Sequence, residues 1–193
     1  MHARIHKSAL LTIVHNAIDL YPRECFGWIY GELSRDHYVI RSAYAKANIH
    51  ATPKHVTLRE NNDDGLLPEM QRLSGSQFLG DYHTHPDEGD VSFSKPSGID
   101  YTRMRGDLLG VYLIALIGKE QDYGRWSSDA QSLFGPVGEF DLKLTAWSYF
   151  SGRNRFLQVP LLSHALPSLN AALQQEQQPI LRRRSSVVRG WKK

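Results

Sequence analysis

Residues 108–117, Leu-Leu-Gly-Val-Tyr-Leu-Ile-Ala-Leu-Ile, form a continuous apolar run without a single charge. A strand with one face in water alternates apolar and polar side chains, so a run of this kind fits a central strand buried on both faces. The rest of the chain supplies cover for it. Ser8 stands where it can cap a helix bearing Leu10, Leu11, Val14, Ala17, Ile18 and Tyr21 at helical spacing, which Pro22 ends. Asp63 or Asp64 can cap a second helix running to about Leu73, and Ser74-Gly75 closes it. A short helix is expected from Ser97 to about residue 105, and another over residues 166–175. Strands are expected over 3–5, over 25–32 and 37–45 as a hairpin, over 77–82 continuing into His83, and over 125–128 and 131–134. Residues 139–150 alternate like a half-buried strand, and residues 48–62 read as a polar loop apart from 56–58. The sum is an α/β sandwich, a mixed, curved sheet flanked by helices.

At 193 residues and 41% hydrophobic content the chain can bury one good core. No run approaches twenty apolar residues and the N-terminus lacks a basic-then-apolar signal pattern, so the expectation is a cytoplasmic protein without a membrane partner. The one cysteine, Cys25, excludes an intrachain disulfide and a multi-cysteine zinc knuckle, and it sits in an apolar strand where packing is its simplest role. The charge is uneven. Residues 179–193 hold six Arg or Lys and no acid, and setting those six aside turns the formal +3 into −3. A basic tail of this kind can attract nucleic acid or stay solvated, and the solvated, disordered reading is preferred. Oligomeric state is not legible.

Chemistry concentrates in residues 80–101. His83 and His85 lie two apart on an expected strand and therefore point to one face. Pro86 turns the chain out of the ladder, and about a dozen residues later Ser97 and Asp100 fall where a helix begins. Two His and one Asp match catalytic zinc, which takes three protein ligands and leaves a fourth position open, better than structural zinc, which is closed by four. A base is still needed, and Glu24 is the best candidate, at the junction of an ending helix and a starting strand. Taken singly, each residue has a plain reading: an incidental His pair, a helix-capping Ser97, a surface Glu24. His50, His55 and His164 lack supporting spacing, and Asp87, Glu88 and Asp90 read as solvating their loop.

At these residues the sequence resembles the JAMM zinc metalloproteases, also called MPN-plus or JAB. The resemblance is carried by Glu24 in Pro22-Arg23-Glu24-Cys25-Phe26-Gly27, by His83-Thr84-His85-Pro86, and by Ser97-Gly98-Ile99-Asp100. It covers roughly residues 1–135, implying a catalytic domain there, an extension over 136–178 packed on or next to it, and the tail 179–193. The loop over 87–95 is longer than the pattern and reads as an insertion beside the metal; Ser94 rivals Ser97, but no acid follows it by three. The resemblance implies a cytidine deaminase-like sandwich, Zn2+ held by His83, His85 and Asp100, Glu24 as general base, and Ser97 as donor to the oxyanion. It further implies hydrolysis of a peptide or isopeptide bond, after the C-terminal tail of a ubiquitin-like or sulfur-carrier protein. The alternative is a non-catalytic MPN-type scaffold module.

Overall fold

A computed structural model describes residues 1–46, 49–52, 55–58, 63–87, 95–106, 110–119, 123–150 and 155–176. In chain order its elements are β1 (His2–Ile5), α1 (Lys7–Leu20), β2 (Phe26–Leu33), β3 (His37–Ala45), β4 (Ile49–Thr52), β5 (His55–Leu58), α2 (Asp63–Ser74) and β6 (Gln77–Pro86). There follow α3 (Gly98–Gly106), β7 (Val111–Gly118), β8 (Ser127–Ser128), β9 (Ser132–Val137), β10 (Phe140–Phe150), β11 (Arg155–Val159), β12 (Leu161–Leu162) and α4 (Leu166–Glu176). One sheet runs β12-β1-β3-β2-β6-β7-β10-β9-β8, with β11 beside β9 on the far edge of β10. It is mixed: β1 is parallel to both its neighbours and β6 is parallel to β7, while the remaining pairs are antiparallel. It also curls, so that β12 comes close to β9. β4 and β5 form a separate hairpin.

The apolar run behaves as its composition requires. β7 lies in the middle of the sheet between β6 and β10. Val111, Leu113, Ala115 and Ile117 join the main core with α1 and α4, and Tyr112 and Ile114 face the other way, onto Met104 of α3 and Trp147 of β10. On that second face Phe26, Trp28 and Tyr30 form another cluster, with Met70 of α2 against it. The sandwich is therefore α1 and α4 on one side, α2 and α3 on the other.

Four features depart from the sequence reading. Helix α1 starts one residue ahead of Ser8; His6 is its N-cap residue, with no side-chain cap, and Ser8 Oγ donates instead to the Arg41 carbonyl at 2.9 Å, tying the helix to β3. Residues 49–58 hold the β4–β5 hairpin where a loop with one apolar triplet is expected. β10 is buried on both faces along most of its length. Two of its polar side chains are satisfied inside the sheet: Trp147 Nε1 donates to Thr145 Oγ1 at 3.1 Å, and Thr145 Oγ1 donates to the Ile114 carbonyl at 3.2 Å. Alternation in a sequence cannot distinguish such internal pairing from solvation. Finally, β11 and β12 have no counterpart in the sequence reading. Residues 140–150, 155–159 and 161–162 are thus built into the sheet, β10 pairing with β7 over 141–148, β11 with β10 and β12 with β1. The tail 179–193 and most of the 87–95 loop lie outside the described residues. Among the described residues no helix is long and apolar enough to cross a membrane.

One glycine sets the geometry of the site strand. The β2–β6 pairing slips at Leu79, where Ile29 is opposite Gly80 but Tyr30 is opposite Phe78. Gly80 has φ +145°, and a Cβ there would stand 2.1 Å from the Val111 carbonyl oxygen. Only glycine fits that backbone and that approach. Beyond the bulge the alternation is fixed: Tyr82 and Thr84 point to the α1 side, and Asp81, His83 and His85 point to the side of α2 and α3.

Candidate metal centre

The site is assembled from a strand and a helix start. β6 supplies His83 and His85, and α3 supplies Asp100 in its first turn. Ser97 and Asp100 hold that start as a reciprocal cap. The Ser97 N–H donates to Asp100 Oδ2 at 2.6 Å, and the Asp100 N–H donates to Ser97 Oγ at 3.3 Å. This is a capping box with Asp in the usual Glu position, and it satisfies two of the helix's open N–H groups. The same carboxylate faces the imidazoles. Asp100 Oδ1 is 3.2 Å from His83 Nε2 and Oδ2 is 3.6 Å from His85 Nε2, while the two Nε2 atoms are 3.1 Å apart.

These spacings fit a metal ion. Donors about 2.0–2.2 Å from a tetrahedral zinc stand about 3.3 Å from one another. His83, His85 and Asp100 offer donors that all lie within 4.8 Å, the one such group of His, Cys, Asp and Glu found among the described residues. The donor set, two imidazoles and one carboxylate, suits zinc and other borderline divalent ions. Burial opposes ionisation of Asp100. Hydrogen bonds with His83 and His85, the charge of His83 and the Ser97 contact outweigh it and hold the carboxyl well below the usual range. The site thus keeps a carboxylate ionised beside two imidazoles, an arrangement compatible with a bound cation.

Glu24 belongs to the same neighbourhood. It is 7% exposed and precedes β2, whose Phe26 is paired with His83. Extending that register by two residues puts Glu24 across from His85. Burial pushes its carboxyl up to about 7, against the lowering influence of His83 and His85. Its backbone N–H donates to the Thr52 carbonyl at 2.9 Å, which joins the glutamate to the β4–β5 hairpin. The next residue locks it to the site strand: Thr84 Oγ1 accepts from the Cys25 N–H at 2.7 Å, and the Thr84 N–H donates to the Cys25 carbonyl at 3.1 Å. Thr84 points away from the donors, and its contribution is to register Glu24 with them. Thr84→Val leaves a buried N–H without its acceptor, so urea unfolding should show a loss of about 1–3 kcal/mol. Thr84→Ser keeps the hydroxyl and should lose much less.

The five residues named from the sequence, Glu24, His83, His85, Ser97 and Asp100, are therefore brought to one place. Cys25 is buried, and burial pushes its thiol up to about 12, which suits packing and not nucleophilic chemistry. Asp87 continues the strand pairing through its N–H to the Ile117 carbonyl at 2.7 Å, whereas Glu88 and Asp90 lie outside the described residues. Asp81 has no place in the sequence reading. Its signal is the same two-residue spacing that links His83 to His85.

Fold and site together define an α/β domain with a His-His-Asp constellation that could hold a metal ion, at the junction of strand β6 and helix α3. A family model described as "Prokaryotic homologs of the JAB domain" matches residues 6–129, and the chain belongs to that family. Among solved structures it is similar to protein DSY2949 from Desulfitobacterium hafniense, determined in solution. That similarity has a TM-score of 0.57 at 17% identity, over 83% of this chain and 92% of the other, and bears on the fold alone. No curated protein matches.

Proposed function

We propose that the protein is a metal-dependent hydrolase of peptide or isopeptide bonds, with zinc as the ion held by His83, His85 and Asp100. The observation that carries this reading is the convergence of those three donors at ligand spacing with a buried glutamate beside them, its carboxyl raised by burial. When bound, a zinc ion supplies Lewis-acid polarisation of a carbonyl and makes water acidic near neutral pH. Glu24 takes a proton from the attacking water as its oxygen bonds to the carbonyl carbon, and returns it to the amine as the carbon–nitrogen bond breaks. Ser97 Oγ accepts from the Asp100 N–H, which leaves its own proton to donate to the developing oxyanion.

The substrate proposed is the C-terminal tail of a ubiquitin-like or sulfur-carrier protein, in line with the JAMM resemblance and with a cytoplasmic setting. Such a tail binds extended, and the β4–β5 hairpin lies where a strand can be added: among the described residues it pairs only with itself, and Glu24 is bonded to its Thr52.

Purified without chelator, the wild type should carry one zinc per chain and cleave one or more members of a panel of ubiquitin-like fusions and isopeptide conjugates. His83→Ala should lose both. Metal without cleavage of any conjugate would favour the scaffold reading, and no metal in the wild type would remove the basis of the proposal.

A further inference from the structure

We propose that Asp81 is a positioning residue of the metal centre, its carboxylate accepting the Nδ1 proton of His83 and holding that ring with Nε2 toward the ion. The inference rests on the reading of His83, His85 and Asp100 as ligands.

His83 is buried, at 3% exposure, and its Nδ1 has no hydrogen-bond partner among the described residues. Its other nitrogen, Nε2, is the one that faces His85 and Asp100. Once Nε2 is given to an ion, the ring proton must sit on Nδ1, which turns that atom into a buried donor. A buried donor without an acceptor is costly, and ligating histidines meet this need with a carboxylate, a carbonyl or a water behind the ring. Asp81 Oδ1 stands 4.0 Å from His83 Nδ1. That is about 1 Å beyond hydrogen-bond length, so the bond requires the two side chains to draw together when the ion is held.

The fold puts Asp81 there by construction. The bulge at Gly80 sends Asp81, His83 and His85 to the same side of β6, so the carboxylate lies one pleat behind the first ligand. Asp81 is itself only 5% exposed, opposite Trp28 of β2, over whose ring Lys46 Nζ lies at 4.7 Å. A carboxylate kept out of water needs compensation. One competing role is open to it, balancing charge within the sheet, and that role predicts a stability effect with no effect on the metal.

The test measures zinc affinity by competition with a chromophoric chelator for wild type, Asp81→Asn and Asp81→Ala, beside thermal unfolding of each metal-free protein. Asp81→Ala should bind zinc roughly 10- to 100-fold more weakly. Asp81→Asn, whose amide oxygen still accepts, should fall between it and the wild type. In the zinc-loaded wild type, His83 should show a slowly exchanging Nδ1 proton by NMR, lost in Asp81→Ala. Unchanged zinc affinity in Asp81→Ala, with or without lower stability, overturns the role given to Asp81 and leaves the metal site standing. No zinc on the wild type overturns both. If neither variant folds, the wild-type resonance decides, and a freely exchanging or absent Nδ1 proton overturns the proposal.

Discussion

Glu24→Gln should keep its zinc and lose hydrolysis by roughly 100- to 10,000-fold, the usual worth of a positioned acid–base group. Glutamine fills the same space and accepts hydrogen bonds, but it cannot take a proton from water. Glu24 is not one of the three converging donors, so the metal should stay. Zinc content and turnover measured on the same preparation distinguish the two effects, and a variant that arrives without zinc would make Glu24 a ligand and not a base. The carboxyl also predicts a pH dependence of the metal-free protein. Burial raises it from its ordinary 4.5 to about 7, so between those values the folded chain holds a proton that the unfolded chain releases. Glu24's contribution to stability is therefore complete below about 4.5 and fades as the pH climbs through 7. Unfolding free energy measured across that interval should show the slope in the wild type and a flatter line in Glu24→Gln. The direction suits the chemistry, since the ionised form that a base requires gains as the pH rises through 7.

Asp100→Asn should separate the metal-binding role of this carboxylate from its helix-capping role. The amide oxygen can still accept from the Ser97 N–H, so the start of α3 should remain capped. Without the negative charge, however, zinc affinity should fall by more than the roughly 10- to 100-fold that a supporting residue is worth. Asp100→Ala should lose the metal equally and also lose about 0.5–2 kcal/mol of stability with the cap. Chelator competition together with urea unfolding tells the pair apart. Equal zinc affinity in Asp100→Asn and the wild type would mean that the carboxylate serves the helix alone.

Much of the site was legible because its elements are local. His83 and His85 share a face through a spacing of two on one strand, and Ser97 and Asp100 share a helix turn through a spacing of three. Glu24 is legible from its place between an ending helix and a starting strand and from the family resemblance; nothing in its local pattern fixes it opposite His85, which depends on the β2–β6 register and on the hydroxyl of Thr84. The fold was legible where one periodicity governs, as in β7 or α1. It was not legible where the decisive contact is distant in sequence. The hydroxyl of Ser8 goes to Arg41 instead of its own helix, the hydroxyl of Thr145 goes to the Ile114 carbonyl on β7, and β12 is two residues long, with a place only because β1 is there to pair with it.

The position of β10 has a consequence for where this chain can be divided. The matched family region ends at residue 129, yet the neighbour that completes β7 begins at Phe140. A chain stopped at 129 would leave this apolar strand as an open edge, the N–H and C=O groups that face β10 unpaired over the stretch from Val111 to Gly118. It would also strip Trp147 and Phe156 from beneath Met104, and with them part of the floor on which the Asp100 helix rests. Edges of that kind recruit foreign strands, so such a fragment is a template for self-association before it is a smaller copy of the domain.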